Sequence, residues 1–547
     1  MSDVIVIGSG AAGVCAAWPL VQRGLRVTMI DVGVTDQGAG AMIPAEPWSK
    51  LRRSDANQHL YFLGERFEGV PDGKVRVGAQ ISPPRAYVAA DAPRLLPRDA
   101  PGFVGLESVA QGGLASAWGA AVSPWASEDL AGLPVTLEEM KPHYDGVAEL
   151  IGVSGQAGDD LSAHLHDSPS MMPPLEMDTP SRAVFEAYLS RREEMKRAGL
   201  ALGHARLAAC SREHRRRGPQ PYHDMDFWSD HGESVYRPRY TLRELLEAAS
   251  FESVTGRLAT RFESHASGVV VQAVDLATGR GERFEAAHLV LAAGALGTTR
   301  IVLRSLGKLG VRRPLVSNHS PYFPMLNTRV LGKESSDRRH SLTQITGFYR
   351  PGGAGAEAEP VQLQCYSYRS LLLFKLLKEV PLALANSRRI FQALTPAMSV
   401  LAVHHADEPS AEKWVSLEAD EGVTEAGVPR DRLRIRYEAT KEETQRQHRT
   451  EREVLGLFRR LGCYTLHSRA VRLGPGASIH YAGPLPMRAS PGEMECDGEC
   501  RLSGHPRVRV ADSAVFARLP AKGVTFSMMA NAHRVGTLLA GEIGGGA

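Results

Sequence analysis

Asp3-Val4-Ile5-Val6-Ile7-Gly8-Ser9-Gly10-Ala11-Ala12-Gly13, an Ala-rich run to Arg23, and Arg26-Val27-Thr28-Met29-Ile30 closing on Asp31 decide the fold. The opening β-branched run reads as a buried parallel strand. It runs straight into glycines spaced so that each has a mechanical task. Gly8 permits a tight turn, Gly10 lets a diphosphate approach the backbone, and Gly13 lets helix and strand pack closely. The free N–H groups at the helix start, on Ala11 and Ala12, face the phosphates. Asp31, at the end of the second strand, accepts from a ribose hydroxyl. Strand, glycines, helix and terminal acid occur in order within about thirty residues, as a dinucleotide fingerprint requires. Pro19 lies inside the expected helix and predicts a kink or a lost hydrogen bond. The fingerprint alone does not choose between NAD and FAD.

The chain has 547 residues, 43% hydrophobic and 23% charged, a globular composition in which more than one core is expected. Lys+Arg 64 against Asp+Glu 61 is near neutrality and speaks against a nucleic-acid partner. Six cysteines are too few for a disulfide scaffold at this length. Cys15, Cys210, Cys365 and Cys463 are scattered, and the near pair Cys496 and Cys500 does not by itself close a structural zinc site. The first strand begins too early to leave space for a secretion signal, so the expected location is cytoplasmic. The apolar stretch Leu371–Val403 is interrupted by charges and prolines and reads as packing in a second lobe, not a transmembrane segment.

Downstream, residues 34–104 are rich in Gly, Pro and charge, which suggests an excursion or lid. Gln111-Gly112-Gly113-Leu114-Ala115-Ser116-Ala117-Trp118-Gly119 is a small-residue loop able to bring backbone N–H groups against a flat ring. A helix is expected over 135–151. Residues 158–235 look irregular, and their basic run Arg212, Arg215, Arg216 and Arg217 reads as a solvated face. A helix from Leu242 through Ala249 comes next. The strand His288-Leu289-Val290-Leu291-Ala292-Ala293 then enters Gly294-Ala295-Leu296 and a helix, a second strand–turn–helix of small residues. Between 315 and 465, strands are expected around Leu342–Arg350, Val361–Tyr368, Val400–His405 and Leu433–Tyr437, forming a separate sheet-based lobe. Ser478-Ile479-His480-Tyr481-Ala482-Gly483 and Val508-Arg509-Val510-Ala511-Asp512 precede a final Ala- and Met-rich helix.

Taken together, these pieces resemble the glucose–methanol–choline (GMC) oxidoreductases, FAD enzymes that oxidise alcohols. The resemblance implies an α/β fold, with a Rossmann-type FAD-binding domain and an α+β substrate lobe built on a sheet. It divides the chain into FAD-binding parts at 1–157, 236–314 and 466–547 and substrate parts at 158–235 and 315–465. Gly112, Gly113, Ser116, Ala117 and Trp118 look like the loop facing the flavin. Ala293 and Gly294 resemble the family's second signature. Asp512 is similar to the acid holding the flavin side of the cofactor, and Val524 and Thr525 begin the helix aimed at the flavin's pyrimidine end. His480 resembles the catalytic base.

Two departures follow from the comparison with that pattern. Some relatives carry a histidine bonded covalently to FAD; Ala117 stands at that position, so non-covalent FAD is expected. The family's second catalytic Asn or His falls here on Gly523, which has no side chain to hold a substrate hydroxyl. Lys522 and Thr525 are the neighbouring replacements, whereas Asn531 and His533 read as packing or capping residues. The expected reaction is oxidation of a small-molecule alcohol such as a sugar, glycoside or nucleoside, with hydride passing to flavin N5 and the proton to His480. O2 or a redox partner would then accept the electrons. The gap at Gly523 keeps two alternatives open: a redox-neutral flavoprotein such as a lyase, and a flavin-binding scaffold without catalysis.

Overall fold

The computed structural model describes residues 2–36, 40–67, 77–78, 80–333, 338–367, 390, 393–420, 422–424 and 427–545. The β-branched run at the start becomes strand Ser2–Ile7, whose Val4, Ile5, Val6 and Ile7 are all buried. It pairs in parallel with Val27–Ile30 on one side and Gly281–Leu291 on the other. Phe251–Val254 and His505–Val510 extend these two flanks, again in parallel. Arg257–His265 and Gly268–Asp275 add an antiparallel ribbon, and Arg501–Leu502 closes the far edge, giving an eight-stranded sheet among the described residues. Strands distant in sequence are thus neighbours in one layer, and their C-terminal ends open on one side, where such sheets bind ligands.

Helix Ala11–Gln22 continues through Pro19, which has no N–H and so gives up one hydrogen bond of the helical ladder, the second of the two expected outcomes. A side chain at Gly536 would bring its Cβ to 2.1 Å from the Ala16 carbonyl oxygen and 2.8 Å from Pro19 Cγ. The final helix, Val524–Gly545, therefore crosses the first at a point where only glycine fits, and Pro19 is part of the crossing.

The second sheet, six-stranded among the described residues, runs Cys463–Tyr464, Tyr322–Asn327, Met398–His404, Val361–Ser367, Thr343–Tyr349 and Leu200–His204. Its members come from two separated stretches, and Leu200–His204 lies in the segment read from sequence as irregular. Arg432–Tyr437 does not join this sheet, which corrects the single-sheet reading of 315–465. It pairs with Lys413–Glu418 in a four-stranded sheet that also holds Arg313–Pro314 and Arg98–Asp99. The reason is where the apolar sides pack: Leu433, Ile435, Val415 and Leu417 join the core of the first sheet, whereas Leu363, Cys365, Leu401 and Val403 form the other core.

The basic run is also revised. Arg215 and Arg216 pair with Glu244 and Glu247 near the surface, but Arg217 is buried. Its guanidinium donates to the carbonyl oxygens of Ile151, Glu233 (2.8 Å) and Ser234 (2.7 Å), tying three segments together. All six cysteines are free and buried. Most of the apolar stretch 371–403, up to 389 together with 391–392, lies outside the described residues. Among the described residues no helix is long and apolar enough to cross a membrane.

Candidate active site

The turn after the first strand owes its shape to two glycines. Gly8 has φ +98, and a Cβ there would lie 2.6 Å from the Ala292 carbonyl oxygen. A Cβ on Gly13 would lie 1.9 Å from the Gly8 carbonyl oxygen, so helix and strand approach as closely as expected. Gly10 behaves differently, for its notional Cβ meets only the Gly112 oxygen at 4.0 Å and otherwise points into open space. Gly10 caps helix Ala11–Gln22 without a side-chain hydrogen bond, and the first turn holds no acid. Helix Ala295–Ser305 begins at Gly294, likewise without a side-chain cap of its own and without an acid in its first turn. Two helix N-termini thus border one cavity; at the second the Gly294 N–H is met by the Asp512 carboxylate, so the start of Ala11–Gln22 is the one that favours an anionic ligand group.

The cavity has a volume of about 1770 Å³. Its wall includes Gly8, Gly10, Ala11, Ala12, Asp31, Gly112, Gly113, Ala117, Trp118, Ala293, Gly294, Asp512, Val524, Thr525 and His480. Two expected site residues do not line it. Gly13 is committed to the helix–strand approach, and Ser116 turns away to donate to the Gln111 carbonyl oxygen at 2.7 Å. The loop around them coils into a short 3₁₀ helix over Gly113–Ala117, fixed by the Trp118 indole donating to the Tyr236 carbonyl oxygen at 2.8 Å.

Two acids mark opposite parts of this wall. Asp31 accepts from the Ser9 backbone N–H at 3.0 Å and from the Ser9 hydroxyl, and burial raises its pKa against those bonds. Asp512 accepts from Thr298 Oγ1 at 2.5 Å and from the Ala514 N–H at 3.0 Å, which locks the last strand to helix Ala295–Ser305. Burial pushes its carboxyl up to about 6. The cavity fits an FAD: a glycine cradle and helix start suit the diphosphate, Asp31 suits the ribose, and the small-residue loop 112–119 suits a flat ring.

His480 is delivered by a constrained segment. Ile479, a β-branched residue, is held at φ 61, a conformation that costs on the order of 1–3 kcal/mol and is tolerated where the surroundings enforce it. Here the enforcement comes from Tyr481–Ala482 pairing with Val316–Ser317, and from Tyr481, whose hydroxyl accepts from the Leu106 N–H at 2.7 Å. Burial pushes the His480 imidazole down to about 4, so it is neutral at physiological pH. A Cβ at Gly523 would lie 3.4 Å from His480 Cε1 and 3.8 Å from Nε2, so position 523 is indeed beside the ring and carries no side chain. Lys522 is not its replacement. It is buried, pairs with Asp129 and donates to the His164 carbonyl oxygen at 2.7 Å, away from the cavity. Asn531 and His533 are likewise engaged elsewhere, with Arg534 and with His143.

Sequence reasoning missed the facing wall. In strand Val361–Ser367, Val361, Leu363 and Cys365 enter the second core, while Gln362, Gln364 and Tyr366 line the cavity. Strand Met398–His404 adds Val400 and His404 to the same wall. The alternation was visible in the sequence, but a polar strand face ordinarily reads as solvent-facing. The excursion 34–104 contributes Trp48, Ser49, Arg52 and Arg53 to the cavity wall, anchored by Ile43, Leu51, Tyr61 and Phe62 packing on Met225 and Trp228.

Residues 423–532, which include His480, Asp512 and the start of the last helix, match the family profile described as GMC oxidoreductase. No curated protein sequence matches the chain. Among solved structures, pyridoxine 4-oxidase from Mesorbium loti aligns with TM-score 0.56 at 16% identity, covering 98% of this chain and 99% of its own. An FAD-dependent oxidoreductase from Chaetomium thermophilum aligns with TM-score 0.59 at 14% identity, over 99% of this chain and 100% of its own. Aspergillus oryzae RIB40 formate oxidase, in a structure concerned with FAD modification, gives 0.58 at 12% identity, over 99% and 98%. At these identities the likeness is one of fold, and the profile match is confined to residues 423–532. Residues 423–532 are thus similar to the GMC oxidoreductases, within a chain whose fold is similar over its whole length to that of FAD-dependent oxidoreductases.

Proposed function

We propose that the protein oxidises the hydroxyl group of a small polar alcohol, of the sugar, glycoside or nucleoside kind, to a carbonyl, with His480 as the base. The observation that carries this reading is the His480 imidazole on the wall of the cavity, beside Gly523 at the start of the last helix. When bound, FAD supplies a two-electron acceptor for the hydride leaving the substrate carbon. His480 takes the hydroxyl proton, a task that needs the unprotonated ring, which burial secures. The N-terminus of Val524–Gly545, with Val524 and Thr525 on the wall, lends positive dipole character where negative charge develops. Gly10 and the N–H groups of Ala11 and Ala12 would hold the diphosphate, and Asp31 the ribose. Ala117 offers no nucleophile to the ring, in keeping with non-covalent FAD.

An anaerobic screen of sugars, nucleosides and aryl alcohols, following loss of the yellow absorbance, tests the reaction. Bleaching by an alcohol is the expected result. Turnover with the flavin remaining oxidised would replace this reading with a redox-neutral one, which the bare position at Gly523 favours. His480→Ala should keep FAD and slow reduction about a hundredfold or more; an unchanged rate would remove His480 from the base role.

A further inference from the structure

Position 523 leaves one side of the reacting centre without a side chain, yet the facing sheet brings polar groups to that place. Gln362 Oε1 accepts from the Gly523 backbone N–H at 3.2 Å, and Gln362 Nε2 donates to Ser123 Oγ at 2.6 Å. Gln362 thereby bridges the gap through both ends of its amide. Its directly paired neighbour on strand Met398–His404 is His404, so the two side chains project from the same face of the ladder. His404 lines the same cavity as His480 and is only 8% exposed. Its Nδ1 bonds to Ser320 Oγ at 2.7 Å, which fixes the ring. Its Nε2 is buried and has no hydrogen-bond partner among the described residues. A buried polar nitrogen without a partner is costly, and such exceptions call for a function.

We propose that His404 is the second catalytic group of the reacting centre, its Nε2 hydrogen-bonding the substrate oxygen that His480 deprotonates, in place of the side chain lacking at Gly523. In the proposed arrangement the Ser320 hydroxyl donates to Nδ1, which puts the ring proton on Nε2, toward the substrate oxygen. The substrate O–H bond breaks with its proton passing to His480, the C–H pair leaves as hydride to the flavin, and His404 keeps its own proton while stabilising the developing negative charge. Burial, then the nearby His480 and His405, push His404 down to about 3, so it acts as a neutral donor and does not compete as a base. This assignment rests on the alcohol-oxidising reading above.

The test is anaerobic rapid mixing of holoenzyme with benzyl alcohol, D-glucose and adenosine as probes. His404→Ala should retain FAD and lower the limiting rate of flavin reduction by about tenfold to a hundredfold. His404→Gln should recover most of that loss. A Cβ at Gly523 meets the His480 ring at ordinary contact distance, so Gly523→Asn placed on the His404→Ala background should restore rate by supplying an amide at the same oxygen. Wild-type rates in His404→Ala, with the wild type reduced normally, would overturn this assignment and leave alcohol oxidation standing. Failure of every probe to reduce the wild type would remove the oxidation reading, and this one with it. Should His404→Ala lose FAD or fold poorly, Ser320→Ala carries the test: it frees the ring and should slow reduction several-fold, and an unchanged rate would again overturn the assignment.

Discussion

Gly10 and Gly13 stand three residues apart and answer to different constraints. At Gly13 the obstacle is the protein itself, since a Cβ would overlap the Gly8 carbonyl oxygen. At Gly10 the space is open toward the cavity. Gly13→Ala should therefore destabilise the protein with or without cofactor. Gly10→Ala should leave the apoprotein's thermal midpoint unchanged while weakening FAD binding at least about tenfold, read by fluorescence quenching on titration. Loss of apoprotein stability in Gly10→Ala would mean that Gly10 serves packing rather than a ligand. His480 yields a prediction in pH. Its pKa is lowered, so the base form is lost only as pH falls through about 4, and flavin reduction should be flat from about pH 6 to 8. A rate that climbs across an ordinary histidine pKa near 6.5 would show that burial does not govern this ring.

At the scale of elements, the opening strand, turn and helix were legible because every local choice agrees: β-branched residues in a strand, glycines where backbone crowds, and an acid at the next strand's end. Strand Met398–His404 was legible as a strand but not as a cavity wall. Nothing in its own residues says that the side carrying His404 lines the same cavity as His480, some seventy positions on, because a pairing between distant strands decides it. The four-stranded sheet was missed for the same reason. Leu433 and Ile435 alternate as any half-buried strand does, and only the position of the first core shows which sheet takes them. Lys522 shows what proximity in sequence leaves undecided. One residue from the gap, it lies buried against Asp129 across nearly four hundred positions. Lys522→Met should cost roughly 3 to 5 kcal/mol by leaving that carboxylate unpaired, and Lys522→Met with Asp129→Leu should recover most of it, as urea unfolding would show. Equal losses in the single and double variants would contradict the pairing.

Across the whole molecule, the glycine turn at one end of the chain, the 112–119 loop, the second strand–turn–helix and the His480 segment near the other end meet on one cavity. A ligand touching all of them links their stabilities, and FAD at a hundredfold excess over its dissociation constant should add about 2.7 kcal/mol to the folded state. The proposed chemistry would place the flavin between the glycine turn at Gly8–Gly10 and His480. The direct measurement is the flavin released by acid from the purified, folded protein. The account predicts a yellow protein giving up a single unmodified FAD per chain; a colourless, well-folded protein that takes up no added FAD would contradict it.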